Sequence, residues 1–277
     1  TTEIYTLSLH DALPIWRGLE TVVYVTRREG GSWGTPRDIT LEASMGTDCH
    51  TTSLNGDGTE LYLFKNDNYD GNIYVTTFSN GRWSPVTKLN RNINTRFYES
   101  HATVSADGKK LWFTSNREGS LGELDLWMSE KDAAGEWGLP VNLGSSINTP
   151  YNEETPFISK DGLTLTFSSE GHGSIGGYDI FLSSMSDGGW GKPVNLGYPV
   201  STTDDDTGFQ PFDDGAFGLH SIMTGYKKKE IALFMFNPPV EEKADTVTIS
   251  FDPDDLPYIT EVRSEEHTSE LQSRQSI

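Results

Sequence analysis

The feature that most constrains this fold is an internal repeat of about fifty residues, carried by two independent markers. One marker is a tryptophan followed closely by proline, and the other is an Asp-Gly pair. The tryptophans are Trp33, Trp83, Trp137 and Trp190, and the pairs are Asp57-Gly58, Asp107-Gly108, Asp161-Gly162 and Asp214-Gly215. Both markers advance by 50, then 54, then 53 residues. Because two unrelated markers keep one period, the chain is predicted to be a tandem array of equivalent units.

Each unit contains four short stretches with strand character. In the third copy the first stretch spans 102–105, and it ends at an Asp-Gly turn of the kind that closes tight hairpins. The second stretch, 111–114, alternates apolar residues at period two. A glycine-rich loop over 117–122 leads to the third stretch at 125–128, and the fourth carries the Trp and the Pro. Proline suits an outer edge strand, and four-stranded units of this length are typical of β-propeller blades.

The repeat motif resembles the WD40-like (PD40-type) β-propeller repeat of bacterial envelope proteins, S-x-D-G-x-x-L-x-F-x-S followed by a glycine-rich loop and D-I-[YWF]. Residues 105–115 and 159–169 match it, whereas the second copy departs at Asn55, Leu63 and Lys65. The resemblance implies an all-β fold, a β-propeller of four-stranded blades. Three full blades and two partial ones are expected here, from a parent of roughly five or six blades.

The same resemblance implies a cellular context. Proteins similar to this one often join such repeats to a peptidoglycan-binding domain of the OmpA type. They sit in the periplasm, associated with the outer membrane. We therefore expect that location and a partner in the envelope.

Both ends of the chain lack the repeat. Residues 1–15 back-translate to a sequence similar to a sequencing-library adapter, and residues 263–277 are similar to the opposing adapter. We predict artefactual tails at 1–15 and 263–277, a propeller fragment at 16–237, and a linker with the start of a following domain at 238–262. The strand that closes the propeller is expected to lie outside such a fragment.

Composition narrows the classes of ligand. The formal net charge is −20, from 41 acidic and 21 basic side chains, which argues against contact with a phosphate backbone and predicts no nucleic-acid partner. No apolar run of about 18 residues occurs, so no transmembrane segment is predicted. Cys49 is the only cysteine, and the histidines form no metal-ligand pair such as H-x-x-x-H. No metal and no cofactor are predicted.

Candidate ligand-binding residues share one face of the predicted propeller. The loop entering the first strand of a blade and the loop between its second and third strands emerge on the same side, called the top face below. Acids recur at equivalent positions of the entry loops, and two cationic candidates lie in the glycine-rich loops. We predict ligand contacts around a central funnel from Glu99, Arg117, Glu153, His172 and Asp206. Two alternatives stay open: these residues cap turns, and the tryptophans stack on sugars rather than pack blades together.

The motifs favour binding over catalysis. No H-E-x-x-H motif occurs, and no pairing of nucleophile and base stands out. We predict a non-catalytic scaffold that recognises an envelope protein partner, or a glycan such as peptidoglycan, through its top-face loops. One alternative is a glycan-active enzyme with carboxylates paired across the funnel. The other is a propeller that gates a linked peptidase or hydrolase domain.

Overall fold

The computed structural model describes residues 3–11, 20–29, 32–46, 49–67, 70–186, 188–212, 217–225, 228–236 and 246–250. Every regular element among them is a β-strand, and no helix in these ranges has the length and apolarity needed to cross a bilayer. The chain divides into two compact units, Thr1–Gly208 and Phe209–Ile277. Asp214 and Gly215 of the last repeat lie outside the described residues, as do 12–19, 237–245 and 251–277.

The first unit contains four antiparallel sheets, one per repeat. Blade A comprises β1 (Glu3–Asp11), β2 (Glu20–Glu29), β3 (Ser32–Trp33) and β4 (Arg37–Asp38). Blade B comprises β5 (Cys49–Leu54), β6 (Glu60–Asp67), β7 (Asp70–Ser79), β8 (Arg82–Trp83) and β9 (Thr87–Lys88). Blade C comprises β10 (Glu99–Val104), β11 (Lys110–Ser115), β12 (Asp125–Glu130) and β13 (Val141–Asn142). Blade D comprises β14 (Glu153–Ile158), β15 (Thr164–Ser169), β16 (Asp179–Ser186), β17 (Gly189–Trp190) and β18 (Val194–Asn195).

The hydrophobic cores of this unit lie between successive blades. In β11, Leu111 and Phe113 belong to the core shared with blade B, and Trp112 belongs to the core shared with blade D. Because successive side chains of a strand point to opposite faces, one strand supplies both cores. Trp137 is buried in the core between blades B and C, and Trp83 in the core between blades A and B.

The Asp-Gly turns are closed by side chains of the repeat motif. Ser105 Oγ accepts the N–H of Lys110 at 2.9 Å, and its hydroxyl donates to Asp107 Oδ1 at 2.6 Å. Blade B has asparagine where the motif has serine. Asn55 Oδ1 there accepts the N–H of Glu60 at 2.9 Å, so the departure from the motif keeps the same turn.

The described residues of the second unit form one antiparallel sheet in the order β19 (Gln210–Phe212), β20 (Phe217–Gly225), β21 (Lys228–Phe236) and β22 (Thr246–Ser250). From the sequence we expected a linker and the start of a following domain at 238–262. The structure instead pairs β22 with β21, in a register that places Thr248 opposite Phe234. The sheet therefore continues beyond the two prolines that end the repeat pattern.

Part of the adapter-like segment also has a place in a sheet. β1 pairs with β2 along its whole length, with Thr6 opposite Val25. The sequence analysis assigned residues 1–15 no position in the propeller. Their adapter origin, like that of 263–277, stays a prediction that sequencing the source DNA across both junctions would test.

Candidate functional site

The first strands of blades C and D carry a β-bulge close to the top face. The register shifts between Ser100 and Thr103 in β10 and between Glu154 and Phe157 in β14. His101 and Thr155 lie in these bulges with φ of 43° and 47°. Such left-handed backbone is uncommon outside glycine and concentrates at functional sites. The first strand of blade C thus begins at Glu99, three residues earlier than the sequence predicted.

Glu99 is fully buried and accepts hydrogen bonds from its own entry loop. Its Oε2 accepts the N–H of Thr95 at 2.9 Å, and its Oε1 accepts the Thr95 hydroxyl at 2.6 Å. The Ser115 hydroxyl donates to the same Oε1 at 3.1 Å. Arg117 completes this set, with Nη2 at 3.2 Å from Oε1. The carboxylate therefore holds the entry loop and the start of the glycine-rich loop together.

Arg117 is buried between aromatic rings and main-chain carbonyls. Its guanidinium carbon lies 4.8 Å from the ring centre of Phe113 and 5.5 Å from that of Trp127. Its Nη1 donates to the carbonyl of Asn92 at 3.0 Å, and its Nη2 donates to that of Ile93. Burial lowers the pKa of Arg117, and the neighbouring carboxylate opposes this shift.

Glu153 makes the equivalent clamp in blade D. Its Oε2 accepts the N–H of Thr149 at 2.9 Å, and its Oε1 accepts the hydroxyls of Thr149 at 2.6 Å and Ser169 at 2.8 Å. It is as fully buried as its counterpart in blade C. No Lys or Arg of the described residues lies within ion-pair distance of it, and burial raises the pKa of Glu153.

His172 fills in blade D the place that Arg117 fills in blade C. Its Nε2 lies 2.8 Å from the carbonyl oxygen of Ile147. Its ring centre is 5.9 Å from that of Phe167 and 5.4 Å from that of Phe181. Among the described residues no hydrogen bond joins His172 to the buried carboxylate of its own blade.

Asp206 forms a third clamp, in the segment that follows blade D. Its Oδ2 accepts the N–H of Thr202, as the other two carboxylates accept the N–H of a threonine four residues earlier. Its own N–H donates to the carbonyl of Tyr178 at 2.7 Å. The side chain is almost completely buried.

The structure thus brings the five predicted site residues to the top ends of the blades, with their polar atoms directed into the protein. Glu99 and Arg117 contact each other, whereas Glu153 and His172 do not form such a pair. The contacts are those of the turn-capping alternative. A direct contact of these residues with a ligand stays a prediction.

Glycines join each glycine-rich loop to the next entry loop. A Cβ on Gly122 would lie 1.9 Å from the carbonyl oxygen of Tyr151, and one on Gly176 would lie 2.7 Å from that of Asp204. In blade B, a Cβ on Gly71 would lie 2.7 Å from the ring of Tyr98. A side chain is excluded at all three positions, so the top face is a close-packed alternation of the two loop types.

Exposed apolar side chains project from these fixed loops. Leu121, Tyr151 and Ile175 are 51%, 60% and 62% exposed, and together they are called the top-face apolar set. The N–H groups of Leu121 and Ile175 each donate at 2.7 Å to a buried aspartate, Asp125 and Asp179 respectively. Leu121 and Ile175 occupy equivalent positions 54 residues apart, a sequence signal that could have identified this set.

A second group that the sequence analysis missed crosses three blades. The ring centre of Phe64 is 5.8 Å from that of His101 and 5.7 Å from that of Tyr98. His101 Nδ1 lies 3.8 Å from Glu154 Oε2, and the Tyr178 hydroxyl donates to Glu154 Oε1 at 3.1 Å. These five residues form the aromatic–carboxylate cluster. The corresponding positions of the other repeats hold different residue types, so the repeat pattern does not predict this cluster.

Burial shifts the titration of this cluster. It raises the pKa of Glu154; the hydrogen bond from Tyr178 opposes this shift, and the nearby Glu170 carboxylate adds to it. It raises the pKa of Tyr98 and Tyr178 and lowers that of His101. The tyrosines and the histidine are therefore uncharged at neutral pH. Within the described ranges, no three His, Cys, Asp or Glu side chains are arranged to hold a metal ion.

Neither a protein-family model nor a curated protein matches this chain. Among solved structures it is similar to TolB from Acinetobacter baumannii, with a TM-score of 0.52 and 14% identity over 83% of this chain and 49% of that one. It is also similar to a xylan β-1,4-xylosidase from Bacillus halodurans C-125, with a TM-score of 0.50 and 17% identity over 87% of this chain and 52% of that one. The chain spans about half the length of both proteins.

A third similar structure is an α-L-arabinofuranosidase from Lactobacillus brevis, with a TM-score of 0.50 and 11% identity over 84% of this chain and 87% of that one. At these identities the likeness shows the fold alone. This chain is an all-β protein of the β-propeller fold. The same fold carries two named glycosidases and TolB, so it does not separate binding from catalysis.

Proposed function

We propose that this chain is a non-catalytic binding propeller of the bacterial cell envelope, which recognises a protein partner or a glycan such as peptidoglycan through its top face. The observation that supports the proposal is the repeated clamp of buried carboxylate, threonine and serine beneath the loops. These clamps fix the loops before any ligand arrives. A pre-formed surface loses less conformational entropy on binding than a mobile one.

The surface on these loops has the composition of a recognition site. The top-face apolar set is exposed beside the exposed acids Glu118, Glu123, Asp204 and Asp205. Gly122, which follows Leu121, packs against Tyr151, so these two exposed side chains belong to neighbouring loops, and exposed apolar groups that lie together among polar ones mark interaction sites. Aromatic and aliphatic side chains supply the contact area, and the charged rim supplies orientation.

The proposed location is the periplasm, in association with the outer membrane. Its support is the resemblance of residues 105–115 and 159–169 to the repeat of envelope propellers. The acidic balance of the chain, with a net charge of −20, agrees with a protein or glycan partner rather than a nucleic acid.

Retention on defined envelope ligands tests the proposal. The purified chain is incubated with peptidoglycan sacculi and, separately, with extracted envelope proteins that mass spectrometry then identifies. Wild type should be retained on one of the two. The double variant Leu121→Ser/Ile175→Ser should lose about tenfold in affinity, because it removes two exposed apolar contacts.

Leu139→Ser is the matched control. Leu139 is 80% exposed but lies between Trp137 and β13, outside the top-face loops. This variant should stay within about twofold of wild type. Absence of retention on both matrices, or equal losses for the control and the double variant, would overturn the proposal.

The aromatic–carboxylate cluster supports a second candidate function, a glycan-active enzyme. The Tyr178 hydroxyl donates to Glu154, and burial raises the pKa of this carboxyl group, which is the direction of shift that favours a general acid. Release of reducing ends from a panel of glycans would detect such an activity. Turnover by wild type that is abolished in Glu154→Gln would favour the enzyme over the scaffold.

A further inference from the structure

We infer that the aromatic–carboxylate cluster receives the guanidinium group of an arginine from a partner protein, with Glu154 as counter-ion and the rings of Tyr98 and Tyr178 as walls. This inference rests on the proposed function and deepens it, because it names the chemistry of the partner. It concerns the boundary between blades C and D, at the ends of the strands that carry the top-face loops.

Within the described ranges, the hydrogen-bond and close polar partners of Glu154 are neutral. Its Oε1 accepts the Tyr178 hydroxyl, and its Oε2 faces His101 Nδ1 at 3.8 Å. That histidine nitrogen is itself 2.9 Å from Ser100 Oγ. Among the described residues no Lys or Arg lies within ion-pair distance of Glu154. Its side chain is 20% exposed, so a ligand can reach the carboxylate.

The same molecule contains this arrangement with its cation in place. Glu60 accepts the Tyr62 hydroxyl at 2.9 Å, just as Glu154 accepts that of Tyr178. Lys131 Nζ then lies 3.2 Å from Glu60 and 4.9 Å from the ring centre of Trp137. A tyrosine, a carboxylate and an aromatic wall thus enclose an ammonium group there.

Arg117 provides a second internal example. It contacts the Glu99 carboxylate and the faces of Phe113 and Trp127. Glu154 likewise has a tyrosine donor, Tyr178, and a second tyrosine, Tyr98, lies near enough for the Glu154 charge to raise its pKa, but no described Lys or Arg lies within ion-pair distance. The structure therefore repeats a cation-binding arrangement at a place where no Lys or Arg of the described part of the chain supplies the cation.

Electrostatics favours a cation there and a guanidinium in particular. Glu170 adds a second negative charge near Glu154, and the depressed pKa of His101 keeps that ring neutral. A guanidinium is planar, is weakly hydrated and stacks on aromatic rings, whereas an ammonium is a strongly hydrated point charge. Binding should lower the pKa of Glu154, because an opposite charge favours the ionised form.

A matched pair of small probes tests the inference directly. Butylguanidinium and butylurea have nearly the same shape and differ in charge. The chain is labelled with ¹³C at the glutamate side-chain carboxyl carbon, and the Glu154 signal is assigned with Glu154→Gln. Butylguanidinium should bind saturably with a Kd of about 1–10 mM. It should lower the pH midpoint of the Glu154 signal, whereas butylurea should change neither signal nor midpoint.

Three variants sharpen the readout. Glu154→Gln should abolish binding, and Glu123→Gln, which removes an exposed acid of the top-face loops, should retain it within about twofold. Glu154→Asp keeps the charge but retracts it, and should bind about tenfold more weakly. This third variant keeps the test valid if Glu154→Gln fails to fold.

Equal binding of both probes, or unchanged binding in Glu154→Gln, would overturn the inference. Its failure is separable from that of the proposed function. If butylguanidinium does not bind while Leu121→Ser/Ile175→Ser still lowers retention, the guanidinium site is wrong and the binding propeller stands. If butylguanidinium binds while the chain is retained on neither envelope ligand, the guanidinium site stands and the proposed envelope-binding function is wrong.

Discussion

Blades C and D each bury a glutamate beneath the top-face loops, but they surround it with different residues. In both, a fully buried glutamate accepts the N–H and the hydroxyl of a threonine four residues earlier and the hydroxyl of a serine on the second strand. In blade C a buried arginine neutralises the glutamate. In blade D a histidine takes the space of that arginine and contacts a carbonyl group instead.

The difference shows that the loop geometry does not depend on the ion pair. The hydrogen bonds from threonine are the same within 0.1 Å in the two blades. Neutral donors are therefore sufficient to position the carboxylate. The arginine compensates the charge of Glu99 in blade C, whereas in blade D burial raises the pKa of Glu153 and only neutral donors among the described residues oppose that shift.

The largest expected effect comes from removing the arginine. Arg117→Ala leaves Glu99 buried without its counter-ion and removes the packing on Phe113 and Trp127, so it should lower the free energy of unfolding by about 3–5 kcal/mol. His172→Ala removes one hydrogen bond and ring contacts and should cost about 1–2 kcal/mol. Urea unfolding of both variants measures the difference. Equal costs would show that the ion pair does not distinguish the blades.

A smaller effect is expected from the threonine hydroxyls. Thr95→Val and Thr149→Val each delete one hydroxyl that donates to the buried carboxylate at 2.6 Å. Hydrogen bonds to charged groups are worth about 1.5–3 kcal/mol. Thr149→Val should be the more costly by about 1 kcal/mol, because Glu153 has only neutral donors left. Urea unfolding of both variants measures these losses of unfolding free energy. A larger loss for Thr95→Val than for Thr149→Val would contradict this account of charge compensation.

The smallest expected effect is on the pH dependence of the free energy of unfolding. The folded-state pKa of Glu153 is raised, so the folded state binds this proton more tightly than the unfolded state. Its contribution to stability is therefore lost as pH rises from the unfolded pKa through the folded pKa, with a slope of at most about 1.4 kcal/mol per pH unit. In Glu153→Gln this slope should disappear. Unfolding free energies at several pH values measure it, and parallel profiles for wild type and variant would refute it.

The fold was largely readable from the sequence. The 50- to 54-residue period, the Asp-Gly turns and the alternating second strands predicted four-stranded blades, and the structure has them. The pairing of β22 with β21 was not predicted, because the sequence after residue 237 carries neither marker of the repeat. Which strand β22 pairs with depends on the sheet edge that is open to it, and the composition of the β22 segment does not reveal this.

The candidate site was readable only in part. Equivalent spacing brought Glu99 and Glu153 to the same end of their blades, but their burial depends on ordinary threonines and serines that carry no motif. The aromatic–carboxylate cluster was not readable at all. Phe64, His101 and Glu154 come from the second strand of one blade and the first strands of two others. No repeat position links them, so only their three-dimensional packing reveals the group.

The glycine contacts between blades have a consequence for how such a protein can diversify. Gly71, Gly122 and Gly176 each rest on the next entry loop, although the second and third strands are separated by two residues in blade B and by nine in blades C and D. Residues can thus be inserted or deleted before the glycine while the joint between neighbouring blades is kept. New binding specificities can therefore arise by changes in the loop tips that leave the packing between neighbouring blades unchanged.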